Sequence, residues 1–127
     1  MAAKGSVMID FADPHVPSRV LKSINTGGQN NSQPGSSSAK ASDPPNEFYI
    51  TCNWNKHSQK IVERMFKGLP FGGISIRYLN AKGKVYVMYV LGQVFISDYQ
   101  YDDTRDQIGI ESFRLSAAKS AQVFFHE

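Results

Sequence analysis

Three histidines, His15, His57 and His126, are the first candidates for metal or acid–base chemistry, but none has a second His or Cys at ligand spacing. A metal centre needs three or four converging donors, so these imidazoles are read as solvated groups in loops and at the chain end. The carboxylates Asp98, Asp102, Asp103, Asp106 and Glu111 have the chemistry of a calcium loop without its spacing. Counted from Asp102, the glycine position holds Gln107 and the bidentate glutamate position holds Phe113. They are expected to solubilise a hairpin turn, and a glycosidase-like pair among them is the weaker alternative. Gly68, Gly72 and Gly73 match neither of the glycine patterns that cradle phosphate. Cys52 shares a strand face with Phe48, Ile50 and Trp54 and has no basic residue placed to activate it, so it reads as a buried, inert thiol. A single cysteine also excludes an internal disulfide framework. Asn30-Asn31-Ser32 matches a glycosylation acceptor, but the start of the chain does not resemble a secretory leader, and the match reads as chance. Tyr86, Tyr89, Tyr99 and Tyr101, with Arg77, Lys82 and Lys84, could stack on single-stranded nucleic acid, although strands favour aromatics for packing alone. These residues predict no catalytic centre, no metal and no cofactor.

The elements that would carry these residues follow from composition. The 127 residues are 41% hydrophobic and 20% charged, enough for one core and one domain over 1–127. The net charge of +3 is spread along the chain with no dense basic block, so nucleic acid is not expected as a partner. No apolar run approaches the length of a membrane span, so no membrane insertion is expected and folding in the cytoplasm is. From Asn25 to Asn46 there is no Val, Ile, Leu, Met, Phe, Trp, Tyr or Cys, and that stretch is expected as a long flexible Gly/Ser/Asn loop over 25–46.

Around the loop the pattern is of strands. Val7–Phe11 and Val20–Ile24 are short apolar runs separated by Pro14 and Pro17. Phe48, Ile50, Cys52 and Trp54 alternate with polar residues. The one helix starts with Ser58 as its cap, repeats Ile61, Val62, Met65 and Phe66 as its buried side, and stops at Gly68. Ile74, Ile76 and Tyr78 then alternate up to a turn at Asn80–Gly83. Lys84–Ser97 is apolar on both faces, with Gly92 marking a bulge or bend. Ile108–Leu115 and a last short strand ending at Phe125 complete the chain. The fold class is mainly β: a small antiparallel barrel or sandwich of about seven strands with one short α-helix.

This order of elements resembles the haemolysin-coregulated protein (Hcp) family, the tube subunits of the type VI secretion system. The resemblance rests on Phe48–Ile61 (FYITCNWNKHSQKI), on Leu91, Val94, Ile96 and Ser97 closing the long strand, and on Glu111-Ser112 followed by Phe113, Leu115, Ala118 and Lys119. Gln59 stands where the family usually has Pro, and Ala117 where Phe is common. The resemblance implies homohexameric rings stacked into a tube, partnered by sheath, spike and effector proteins and secreted after assembly in a bacterial cytoplasm. It makes Gly35, Ser36, Ser37 and Ser38 candidates for contact between rings. On the same reading, Tyr86, Met88 and Val90 are candidates for contact within a ring. The alternative from another class is a monomeric β-barrel module that binds single-stranded nucleic acid.

Overall fold

The computed structural model describes residues 5–26, 44–103 and 109–125. Gly35, Ser36, Ser37 and Ser38, most of the expected loop, Asp106 and His126 lie outside them. The elements are β1 (Ser6–Phe11), β2 (Arg19–Val20), β3 (Ser23–Thr26), β4 (Glu47–Asn53), α1 (Ser58–Lys67), β5 (Phe71–Leu79), β6 (Val85–Asp102) and β7 (Ile110–Phe124). All seven strands join one antiparallel sheet in the order β2-β1-β5-β6-β7-β4-β3.

The two ends of that order are neighbours in sequence. β2 pairs with β1 at one edge, β3 pairs with β4 at the other, and only Leu21 and Lys22 separate them. Three Cα steps span at most about 11 Å, so the sheet must curl until its edges nearly meet. The corner is pinned on both sides: the Leu21 N–H donates to Val7 O (2.8 Å) and the Lys22 N–H to Thr51 O (2.7 Å). The architecture is thus a curled, barrel-like sheet and not a sandwich of two.

The count of seven strands matches the sequence pattern, but their division differs. The run Val20–Ile24 is split by the corner into β2 and β3. The two strands expected after Ile108 are one, because β6 pairs with β7 from Val87↔Phe124 through to Asp102↔Ile110. Ser116–Ala121 is poor in strand-forming side chains, and that long partner overrides the weak local preference.

The core gathers Ile9, Phe11, Phe48, Ile50, Phe71, Ile76, Phe113 and Leu115, all at most 1% exposed. Phe11 and Phe71 meet at 5.0 Å between ring centroids. Inward positions shift by one residue along the central strands: Phe71 gives way to Ile74 on β5, and Leu91 to Val94 on β6. The shift falls on the paired row Gly73, Gly92 and Lys119, with Gln93 at φ 54°. Gly92 therefore marks a bend. The β6–β7 register slips elsewhere, between Ser97 and Gln100, with Asp98 at φ 52°.

On α1, Ile61 is fully buried and Met65 packs against the core, but Phe66 is 80% exposed. Five residues at 100° each place Phe66 about 140° around the helix from Ile61, outside the buried stripe. Arg64 donates to Pro70 O at 2.7 Å. The helix ends as the sequence implies, with Gly68 left-handed at φ 67° and the Leu69 N–H reaching Arg64 O at 3.0 Å. No described helix is long and apolar enough to cross a membrane.

Candidate functional site

The strongest surface feature lies on the β6–β7 ribbon. Met88 and Val90 share the outward side of β6, opposite Val123 and Ala121 of β7, and Val90 is 44% exposed. Tyr86 is also exposed but sits where the β5–β6 register slips, and its ring meets Tyr78 edge-on at 6.3 Å. The structure thus joins two of the three strand candidates on one face and offsets the third by a bulge, which alternation alone does not reveal. Beside them, part of β7 has no strand partner on one side among the described residues. Its pairing with β4 ends at Glu47↔Ser116, followed by bonds from the Ala117 N–H to Asn46 O and from the Ser120 hydroxyl to Pro45 O (both 2.9 Å). Along Ala118–Phe124 the strand has β6 on one side and no strand on the other among the described residues. Such an edge offers unpaired backbone donors and acceptors, and exposed Val123, Phe124 and Phe125 give it apolar surface as well.

Toward the other end of the β6–β7 ribbon is a buried polar clasp that pattern reading does not find. Arg19, from the edge strand β2, reaches across the barrel to pair with Glu111 of β7, and both are buried. The Arg19 Nη1 also approaches Cys52 Sγ (3.2 Å) and Asn53 O (3.3 Å), while Nη2 donates to Asn55 Oδ1 (3.3 Å). Ser58 Oγ donates to Glu111 Oε2 at 2.5 Å, and the Tyr99 hydroxyl donates to Oε1. One carboxylate therefore ties together the closing corner, the start of α1, β6 and β7. Ser58, expected to cap the helix, turns inward to this network, and the N-cap is His57 with no side-chain bond.

The electrostatics follow from that enclosure. Burial pushes the Cys52 thiol up to about 11, so it is protonated at neutral pH despite Arg19 beside it. The inert thiol expected from the sequence holds; the absence of a basic neighbour does not, since Arg19 comes from a distant strand. Burial disfavours the charge of Arg19, but the Cys52 sulfur and the Glu111 carboxylate outweigh it and hold the guanidinium more firmly protonated than usual. Burial, then the bond to Glu111, also raises Tyr99. With Cys52, Ser58 and Glu111 at 0% exposure and Arg19 at 8%, the cluster braces the fold from within.

The other candidates separate. Glu111 leaves the expected solubilising acids for the core, whereas Asp98 pairs with Arg114 at 3.3 Å and Asp102 and Asp103 are exposed. Trp54 falls beyond β4 and is 39% exposed, edge-on to Tyr101 at 6.3 Å, instead of joining the apolar face of the strand. Of the four tyrosines considered for base stacking, Tyr89 packs on Phe48 (5.1 Å) and Tyr99 stacks on Phe113 (5.9 Å). Only Tyr86 and Tyr101 remain exposed, so the four form no continuous platform. No three metal-ligating side chains cluster among the described residues.

The sequence matches no protein-family model and no curated protein. Its structure, however, superposes on Hcp1 from Salmonella typhimurium with a TM-score of 0.71 at 12% identity, covering 96% of this chain and 87% of that one. The fold is the Hcp fold. A type VI secretion system effector from Yersinia pestis aligns at TM-score 0.72 and 14% identity over 95% of this chain and 91% of its own. The secreted protein Hcp3 from Pseudomonas aeruginosa aligns at 0.62 and 12%, over 98% and 100%. Agreement over nearly the whole chain at such low identity means that the fold is shared while most side chains are not.

Proposed function

We propose that this protein is a structural tube subunit of a type VI secretion system. Its copies close into six-membered rings, the rings stack head to tail, and a contractile sheath drives the tube out behind a spike. Effector proteins ride inside the ring. The observation that carries this reading is the Hcp fold over nearly the whole chain, joined to an open strand edge with apolar surface beside it. Ring closure gives such an edge a neighbour in every subunit, which removes the hazard it poses in a lone chain. Met88, Val90 and the exposed Tyr86 are the contacts within a ring, and Gly35, Ser36, Ser37 and Ser38 the contacts between rings. The work is mechanical: binding energy is used to build a conduit, with no bond made or broken and no cofactor. The protein assembles in the bacterial cytoplasm and leaves through the apparatus it forms. Electron micrographs of the purified protein test the reading: annular particles with a central hole support it, and compact featureless monomers reject it.

A further inference from the structure

Two surfaces toward opposite ends of the β6–β7 ribbon have complementary chemistry. The first is the outward face of β1, β5, β6 and β7, where cross-strand register sets two rows. One row is Met8, Arg77, Met88 and Val123, and the next is Asp10, Ser75, Val90 and Ala121. Arg77 is the one charge in its row. Its Nε is buried without a hydrogen-bond partner, and it makes no ion pair among the described residues, not even with Asp10 on the next row. Beside the second row lies a mostly apolar depression of about 210 Å³, lined by Asp10, Gly73, Ser75 and Val90 among others. An apolar hollow with a carboxylate in its wall suits an aromatic ring that bears a donor, as Trp and Tyr do. The guanidinium one row away, about 7 Å along the strands, suits a carboxylate.

The second surface has that combination. Trp54 and Tyr101 are 39% and 50% exposed and meet edge-on. Both are held in place: the Trp54 N–H donates to Gly109 O at 2.9 Å, and the Tyr101 ring lies so close over Gly109 that a Cβ there would collide with it. Asp102 and Asp103 follow directly and are exposed. Glu63 is paired with Lys60 and Asp98 with Arg114, so these two are the exposed carboxylates outside ion pairs among the described residues. The exposed Phe66, Phe95, Phe124 and Phe125 bear no donor, and Tyr86 is flanked by Val85 and Val87 with no acid beside it.

We propose that Trp54 and Tyr101 of one copy fill the depression beside Val90 of the next, with a ring N–H or O–H donating to Asp10, while Asp102 or Asp103 pairs with Arg77. Val90 and Tyr101 are eleven residues apart on β6, about 36 Å of extended strand, so one chain does not bring the two surfaces together. A contact between two different patches is head to tail. It leaves one of each patch free on every pair, which lets a ring grow and close. This contact rests on the reading of the chain as a self-assembling subunit and supplies the surface that meets Met88 and Val90.

Trp54 is the only tryptophan, so its fluorescence reads this contact alone. Acrylamide quenching and light-scattering mass are measured on the full-length parent as it is concentrated, and quenching is expected to fall several-fold as the mass rises above one chain. Arg77→Glu and Asp102→Lys/Asp103→Lys are each expected to weaken association more than about tenfold, because like charges then face each other. Mixed in equal amounts the two should reassemble, since the new lysines meet the new glutamate while Arg77 of one still meets the aspartates of the other. The quenching measurement needs no variant and is decisive if either variant fails to fold. A parent that associates with Trp54 quenched as freely as in the monomer would overturn the contact and leave the ring reading standing. So would folded variants that associate like the parent, or that stay apart when mixed. A parent that is monomeric up to millimolar concentration would overturn both.

Discussion

The Arg19–Glu111 clasp and the free edge of β7 put polar groups to opposite uses. In the clasp the two charges are enclosed and meet each other: Glu111 accepts from Arg19, Ser58 and Tyr99, and only the Arg19 Nε–H has no partner among the described residues. At the edge, the backbone of Ala118–Phe124 is unanswered by any strand among the described residues, and its aromatic end is exposed. Enclosed polar groups fix one geometry, because leaving any of them unpaired is costly. Open ones invite another chain. The molecule is thus a frame closed internally by the clasp, with a strand edge on β7 that has no strand partner among the described residues.

Breaking the clasp should have the largest effect on stability. Arg19→Met strands a buried carboxylate and is expected to cost about 3–5 kcal/mol in urea unfolding. The double variant Arg19→Met/Glu111→Leu should recover much of that loss, since it removes the buried charge along with its partner. A single variant that melts like the parent would mean the pair is not enclosed as described.

Next is the core face of the helix. Ile61→Ala removes a fully buried side chain and should cost about 2–5 kcal/mol, with Met65→Ala at or below the low end of that range. These losses should leave the β7 edge able to associate in whatever fraction remains folded, which separates frame from edge.

A smaller effect appears with pH. Cys52 loses its proton near 9.0 in an ordinary setting and only near 11 in the fold. Between these values the unfolded chain has released a proton that the folded chain keeps, so stability is fully present below about pH 9 and falls as pH rises toward 11. The two-unit shift corresponds to roughly 2–3 kcal/mol. Unfolding free energy compared at pH 8 and pH 10 should drop more in the parent than in Cys52→Ala. Equal drops would place the thiol in contact with solvent.

The frame was more legible in the sequence than the clasp. Alternation in Phe48–Cys52 and Ile74–Tyr78 and the stop at Gly68 are local signals, and the structure repeats them. Glu111 was misplaced because it sits next to a run of surface acids. Its alternation with buried Phe113 and Leu115 was the one signal that could have assigned it inward. Arg19 had no such signal: its partners lie on β4, α1 and β7, which only the curled topology brings to it. Phe66 was misread for another reason, since an apolar residue at i+1 from a buried Met65 lies a full 100° round the helix. Phe66→Ala accordingly should shift stability by less than about 0.5 kcal/mol, the smallest change expected here.

In the proposed ring, the β7 edge and its apolar face meet other copies of the chain. Light scattering coupled to gel filtration, run on the parent and on Met88→Glu/Val90→Lys, tests it most directly. A ring of this kind gives a parent mass about six times that of one chain and a variant that is monomeric yet melts like a folded protein. A parent that stays monomeric from micromolar to millimolar concentration would contradict it.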